Sequence, residues 1–186
     1  MRYLLSGLFT AGLVLLTSPA QASAPDADAE TLLDHDLRRL HSSEVVNLEE
    51  QLGGAPLLLV NTASRCGFTR QFEGLEALHQ RYAPRGLRVA GFSSHDFNQE
   101  IDEEGAAEVC FVNFGVTFDM FAPIAVSGED AHPLFAELAR QSEAPRWNFT
   151  KYLVDESGRV VAHFGSSVRP ESRRLRGAIE TLLDGS

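Results

Sequence analysis

The apolar residues of the chain alternate between runs of strand length and runs with helical spacing. Continuous or alternating apolar runs predict strands at residues 57–61, 87–92, 151–155 and 160–164, and a short hairpin within residues 33–48. Apolar residues three and four positions apart predict helices at residues 72–82, 103–113, 131–138 and 175–183. A β-rich apolar segment is expected at residues 116–126, where Pro123 interrupts it.

The order of these elements predicts the fold class. Helices alternate with the early strands, which implies parallel crossover connections, whereas the two late strands form a hairpin around the turn at residues 156–159. The prediction is therefore an α/β fold with a central mixed sheet flanked by helices. Because no linker is long enough to divide them, residues 33–186 are expected to form one domain.

The first 22 residues predict a secretory signal peptide. Arg2 supplies a positive start, residues 4–16 form an apolar core, and residues 20–22 give an Ala-Gln-Ala cleavage site. The apolar core is shorter than the roughly 20 residues that a membrane span needs. We therefore expect export to the periplasm or secretion, no stable membrane association after cleavage, and a short flexible leader at residues 23–32.

The net charge of the chain argues against some classes of binding partner. It carries 26 acidic and 16 basic residues, for a formal net charge of −10. The phosphates of nucleic acid and of anionic membranes would be repelled, so neither is an expected partner. The six histidines show no spacing typical of metal ligands, and we expect neither a metal site nor a cofactor.

The two cysteines, Cys66 and Cys110, are the candidates for chemistry. Cys66 lies between a predicted strand and a predicted helix, where backbone N–H groups and the helix dipole favour a thiolate. In an exported protein the two cysteines could also form a permanent structural disulfide. The local sequence of Cys66 favours a nucleophile, but the residues alone leave the structural pair open.

That local sequence resembles the active-site signature of the glutathione peroxidase family, in its cysteine form. The run Asn-Thr-Ala-Ser-Arg-Cys-Gly-Phe-Thr at residues 61–69 matches nine consecutive positions, and the resemblance extends over about residues 33–183. It implies a thioredoxin-like fold and an exported thiol peroxidase that reduces hydrogen peroxide and organic or lipid hydroperoxides. Cys66 stands at the peroxidatic position, where the thiolate is oxidised to a sulfenic acid.

The resemblance also implies three partners for Cys66. Residues 146–151, Arg-Trp-Asn-Phe-Thr-Lys, match the family's Trp-Asn-Phe-Thr-Lys signature, which implies that the indole N–H of Trp147 and the side-chain amide of Asn148 face the thiolate and the peroxide. Residues 104–118 resemble the segment that carries the resolving cysteine of thioredoxin-dependent members, which gives that role to Cys110. If the two cysteines are apart in the reduced fold, the Cys110 helix must unwind or move before a disulfide can close.

One position departs from the family pattern. The loop that normally has the sequence Gly-Phe-Pro-Cys-Asn-Gln-Phe-Gly is Gly-Phe-Ser-Ser-His-Asp-Phe-Asn at residues 91–98, so that Asp96 takes the place of the Gln. An ionised carboxylate cannot donate a hydrogen bond and would disfavour a nearby thiolate. Three alternatives remain: Asp96 is held protonated as a donor, it points away while Asn98 or Gln99 helps instead, or it weakens the activity.

Reductant and oligomeric state are also implied by the resemblance. The short segment at residues 141–146 is similar to that of monomeric, open-cleft members, so we expect a monomer. No Arg/Lys cluster is evident that would hold the carboxylates of glutathione, which favours a thioredoxin-like reductant over glutathione. The alternative function is a peroxide sensor that relays a disulfide to a partner protein. A Cys–His hydrolase remains formally open, and a thiol–disulfide oxidoreductase is disfavoured because no Cys-x-x-Cys motif is present.

Overall fold

The computed structural model describes residues 32–100 and 102–185, so the predicted signal peptide and most of the predicted leader lie outside the described residues. The strands are β1 (Asp36–Arg38), β2 (Val45–Asn47), β3 (Leu57–Thr62), β4 (Arg88–Ser93), β5 (Asp119–Phe121), β6 (Lys151–Val154) and β7 (Val160–Phe164). The α-helices are α1 (Leu48–Leu52), α2 (Gln71–Tyr82), α3 (Glu103–Ala107), α4 (Pro133–Gln141) and α5 (Arg173–Asp184). None of the helices in the described ranges is long and apolar enough to cross a bilayer.

Five strands form one mixed sheet in the order β5–β4–β3–β6–β7. β3 pairs in parallel with β4, and β4 pairs in parallel with β5. β6 runs antiparallel to both β3 and β7, as the late hairpin requires. β1 and β2 form a separate antiparallel ribbon. The predicted mixed sheet, with parallel strands joined early in the chain and a hairpin added late, is confirmed.

The central strand explains why helices cover both faces of the sheet. All six residues of β3 are buried, and successive side chains of a strand point to opposite faces. Leu58 and Val60 therefore join one apolar core with the buried residues of α2 and α5. Leu57 and Leu59 join a second core with those of α1 and α4. Each face of β3 thus requires its own helical layer.

The topology brings three loops to one edge of the sheet. Because β3 and β4 are parallel, the loops that follow them leave from the same edge. β6 is antiparallel to β3, with Lys151 opposite Val60, so the residues that precede β6 also approach this edge. The three loops are residues 63–70, 94–100 and 147–150, and they include most of the candidate site residues.

Three elements differ from the sequence expectations. Helix α1 follows β2 directly, where only a hairpin was expected. The β-rich segment at residues 116–126 contributes only the short strand β5 to the sheet. The helix predicted at residues 103–113 is α-helical as far as Ala107 and continues as a π-helix at Glu108–Asn113. A π-helix inserts an extra residue into the turn, and such segments are often found at functional sites.

Candidate active site

Cys66 lies on a tight turn that the hydroxyl group of Thr69 holds together. The amide of Cys66 donates to Thr69 Oγ1 at 3.0 Å, and that hydroxyl lies 2.8 Å from the carbonyl of Cys66 and 3.0 Å from that of Ala63. The amide of Phe68 donates to Cys66 Sγ at 3.5 Å. The sulfur of Cys66 therefore accepts a hydrogen bond from the backbone of its own turn.

The turn leads directly into α2. The amide of Thr69 donates to the Cys66 carbonyl at 3.0 Å, and the amides of Gln71 and Phe72 make the next two bonds of the same spacing. The chain is therefore coiled from Cys66 onward, and the predicted position of the cysteine between a strand and a helix is confirmed. The side chain of Cys66 is only 8% exposed, which protects it from large reagents.

Asn148 presents an unpartnered donor at this edge. Its side chain is fully buried, its Oδ1 accepts from Asn61 Nδ2 at 3.4 Å, and its Nδ2 has no hydrogen-bond partner among the described residues. A buried amide without a partner is costly in a folded protein and calls for an explanation. A bound peroxide oxygen or a thiolate would supply the missing acceptor.

Asn61, near the end of β3, organises the loop that carries Asn148. Its carbonyl accepts from the amide of Phe149 at 2.7 Å, and its Oδ1 accepts from the amide of Thr150 at 3.0 Å. Its Nδ2 donates to the carbonyl of Trp147 at 3.2 Å. Asn61 is part of the signature around Cys66, but nothing in its local sequence shows that its partners are more than 80 residues away.

Phe149 adopts a backbone conformation that bulky residues rarely take. Its φ is 61°, in the left-handed region. Its buried ring packs edge-on against that of Phe72 at a centroid distance of 5.2 Å. The hydrogen bond from its backbone amide to the carbonyl of Asn61 holds the backbone in place. Strained residues of this kind concentrate at functional sites because the surrounding structure must hold them. Here the strain occurs immediately after Asn148 and helps to set its direction.

Trp147 forms an open aromatic surface beside Asn148. It is 41% exposed, and its ring lies 5.4 Å from that of Phe97, which belongs to the loop after β4. Its carbonyl also accepts from Thr150 Oγ1 at 2.9 Å. The predicted residues Trp147 and Asn148 therefore share the edge of the sheet with Cys66. Trp147 is exposed, and Asn148 is fully buried.

Cys110 lies within the π-helix and is 2% exposed. Both cysteines are free thiols, and both contribute to the apolar core that α2 and α5 cover. Burial, assisted by the negative charge of Glu100, raises the pKa of the Cys110 thiol to about 12. Cys110 is therefore a thiol at neutral pH in this fold.

Asp96 is bonded to a different part of the chain. Its Oδ2 accepts from the amides of Val126 and Ser127 at 2.7 and 2.8 Å, and from Ser127 Oγ at 3.0 Å. Of the three alternatives for Asp96, this geometry matches the one in which the carboxylate points away from the nucleophile. Its negative charge is satisfied by donors of the 126–127 segment.

Gln99 and Glu100 occupy the side of the loop next to Cys66. The carbonyl of Gln99 accepts from the amide of Arg65 at 2.8 Å, and the carboxylate of Glu100 bonds to Ser64. Gln99, a sequence-based alternative to Asp96, contacts the cysteine turn only through its backbone, and its side-chain Nε2 donates to the carbonyl of Asn98 at 3.1 Å. Glu100 was not singled out, because a carboxylate in a polar loop has no local feature that distinguishes it from a solvated charge.

No group of three or more potential metal-ligating side chains occurs within residues 32–100 and 102–185.

Comparison with known proteins gives a consistent assignment of the chain. Residues 34–139 match the family model described as glutathione peroxidase, a range that includes Cys66, Asp96, Gln99 and Cys110. A glutathione peroxidase of Lactococcus lactis subsp. cremoris is 42% identical over 149 residues, which cover 76% of this chain and 93% of the relative.

Two further relatives carry more specific names. A protein of Synechocystis sp. named hydroperoxy fatty acid reductase gpx1 is 42% identical over 144 residues, covering 70% of this chain and 83% of the relative. A glutathione peroxidase-like peroxiredoxin, GPX5 of Chlamydomonas reinhardtii, is 44% identical over 142 residues, covering 73% and 86%.

Solved structures share the fold. The apo form of Trgpx superposes with a TM-score of 0.66 at 30% identity, covering 84% of this chain and 97% of that one. A putative thiol:disulfide interchange protein DsbE from Chlorobium tepidum superposes with a TM-score of 0.58 at 18% identity, covering 83% and 96%. The second likeness concerns the fold alone, and together the two confirm the expected thioredoxin-like architecture.

Proposed function

The chain belongs to the glutathione peroxidase family and is a peroxidase that acts on hydroperoxides, and we propose that Cys66 is its nucleophile. The observation that carries this proposal is the fully buried, unpartnered amide of Asn148 at the edge of the sheet where Cys66 lies. A peroxide bound there would find a thiolate on one side and a hydrogen-bond donor on the other.

In the first step, the Cys66 thiolate attacks one oxygen of the O–O bond. A sulfur–oxygen bond forms as the O–O bond breaks, and the electron pair leaves on the second oxygen as an alkoxide or hydroxide. Sulfur is oxidised and the peroxide is reduced. The side-chain amide of Asn148 and the indole N–H of Trp147 would stabilise the departing oxygen, which is protonated to an alcohol or to water.

In the second step, Cys110 resolves the sulfenic acid of Cys66. A sulfur–sulfur bond forms, the sulfur–oxygen bond of the sulfenic acid breaks, and the thiol proton of Cys110 leaves with the hydroxide as water. Cys110 is buried in the reduced fold, so the π-helical segment must open first. The six-residue π-helix after a short α-helix supports this step, because π-helical turns are less regular than α-helical ones.

A reduced dithiol then restores both cysteines, and we propose that it belongs to a thioredoxin-like protein rather than being glutathione. Lys151 is the only lysine of the chain and it is fully buried, so no lysine is available to bind the carboxylates of glutathione. The Chlamydomonas relative is named a peroxiredoxin, which is consistent with a thioredoxin-like reductant.

The open aromatic surface of Trp147 and Phe97 supports a substrate range that includes lipid hydroperoxides. The exposed ring of Trp147, which packs on the half-buried ring of Phe97, can contact an acyl chain, and the Synechocystis relative is named for a hydroperoxy fatty acid. We also propose that the protein is exported after cleavage of residues 1–22 and acts as a monomer.

Turnover with a purified thioredoxin system tests the assignment of the two cysteines. Cys66→Ser should abolish peroxide-dependent consumption of the dithiol. Cys110→Ser should still consume one equivalent of peroxide but lose turnover with the dithiol. Robust turnover by Cys66→Ser would exclude it as the nucleophile, and full turnover by Cys110→Ser would exclude it as the resolving thiol.

A further inference from the structure

Glu100 bonds the loop after β4 to the residues just before Cys66. Its carboxylate accepts from the amide of Ser64 at 3.2 Å and from the Ser64 hydroxyl, and Ser93 Oγ at the end of β4 donates to Oε2 at 2.8 Å. The preceding residue, Gln99, accepts from the amide of Arg65 through its carbonyl. Residues 99–100 therefore bind the two residues before Cys66 through both backbone and side chain.

We propose that Glu100 is a positioning residue: its carboxylate fixes the turn that presents Cys66. The proposal rests on the role that the proposed function gives to Cys66. Because Glu100 belongs to the loop after β4, its bonds hold the turn from a second segment of the chain, in addition to those that Thr69 makes within the turn.

Three variants test this role. Glu100→Gln keeps an oxygen that can accept from Ser64 but removes the charge. Glu100→Ala removes both, and leaves the amide and hydroxyl of Ser64 and the hydroxyl of Ser93 without this acceptor. Glu108→Gln is the matched control, because it removes an exposed carboxylate at the start of the π-helix, outside the Cys66 turn.

The first measurement is the denaturant midpoint of unfolding of the three variants, which does not depend on peroxidase activity. Glu100→Ala should unfold at a lower denaturant concentration than Glu100→Gln, because three donors lose their acceptor, whereas Glu108→Gln should unfold at the wild-type midpoint. A wild-type midpoint in Glu100→Ala would overturn the proposed bonds to the Cys66 turn.

The second measurement is the rate at which stoichiometric peroxide oxidises Cys66, followed by the fluorescence of the only tryptophan, Trp147. Glu100→Ala should slow this oxidation by about tenfold or more, and Glu100→Gln should stay within about threefold of the wild-type rate. A wild-type rate in Glu100→Ala would overturn the positioning effect. If Glu100→Ala does not fold, a loss of more than tenfold in a folded Glu100→Gln overturns the claim that its oxygen can replace the carboxylate. Failure of the wild-type protein to react with peroxide would instead reject the proposed function, and the stability result would still stand.

Discussion

The turn of Cys66 and the π-helix of Cys110 are held in opposite ways. The Cys66 turn is bonded by Thr69 from within and by Gln99 and Glu100 from the next loop. The Cys110 segment buries its sulfur, but the two residues that follow it, Phe111 and Val112, are 40% and 76% exposed.

This difference matches the two chemical tasks. Attack on a peroxide needs a nucleophile and donors already in place, because misplacement by 1 Å can cost on the order of 100-fold in rate. Closing a disulfide with a buried thiol instead needs a segment that can leave its position. The structure therefore combines a fixed turn and a segment able to open within one apolar core. Four predictions test that comparison.

The largest effect is expected at Asn148 on the fixed side. Asn148→Ala removes the buried donor and should slow oxidation of Cys66 by about 100-fold or more, the usual loss for an oxyanion donor. Asn148→Asp has nearly the same shape and keeps an oxygen for Asn61, but it loses the donor, so it should be equally slow. Stopped-flow fluorescence of Trp147 gives both rates. Wild-type oxidation by Asn148→Asp would remove the donor from the mechanism.

Thr69→Val tests the bonds within the Cys66 turn. Valine has the shape of threonine but leaves the amide of Cys66 without its acceptor, so oxidation should slow by about tenfold. The free energy of unfolding should fall by about 1–2 kcal/mol. Thr117→Val is the control, because the hydroxyl of Thr117 bonds to Glu76 on the exposed surface. If both variants oxidise at the same rate, the turn does not depend on Thr69.

Lys151 makes the unfolding free energy of the protein depend on pH. It donates to Gln71 Oε1 and to the carbonyl of Val168 at 2.8 Å, and burial lowers the pKa of its ammonium group from 10.5 to about 7. Between these values the unfolded chain holds a proton that the folded chain has released. The group's contribution to the unfolding free energy therefore rises with pH across that window, by up to about 1.4 kcal/mol per unit.

The measurement compares denaturant unfolding of wild type and Lys151→Met from pH 7 to pH 10. The variant leaves two acceptors unpaired, which adds a constant offset, but it lacks the titration. The wild type should therefore gain stability relative to the variant as pH rises. Because Lys151 is the only lysine, isotope-labelled lysine gives one side-chain signal whose midpoint should lie near 7. Parallel stability profiles would contradict the lowered pKa.

The smallest effect is expected in the π-helix that carries Cys110. Val112→Ala replaces an exposed β-branched residue by the best helix former, which should stabilise a helical segment by about 0.5 kcal/mol. Formation of the disulfide after oxidation of Cys66 should then slow about twofold, while oxidation itself is unchanged. Val161→Ala, an exposed valine on β7, is the control. A faster disulfide in Val112→Ala would mean that the segment does not open by losing helix.

The sequence predicted the frame of the site because its signals are local. An apolar run followed by small polar residues and a helical pattern is enough to place Cys66 between β3 and α2. The order of strands and helices is enough to predict a mixed sheet. The same signals bring the loops after β3 and β4 to one edge, since the two strands are parallel.

The remaining features depend on contacts between distant residues. The carboxylate of Asp96 bonds to the amides of residues 30 and 31 positions later, and no local pattern shows this direction. The apolar pattern of residues 108–113 indicates a helix, but it does not show that this helix is a π-helix. Lys151 gave no sign of burial, because lysine is usually exposed and its two acceptors come from other elements.

The most direct test of the central claim is the mass of the protein, and of its peptides, after one equivalent of peroxide. Wild type should lose two hydrogen atoms and give a linked peptide pair containing Cys66 and Cys110, reversible by a dithiol. Cys110→Ser should instead gain one oxygen atom, located on Cys66. Oxygen found on Cys110, or no linked pair in the wild type, would contradict the division of labour between the two segments.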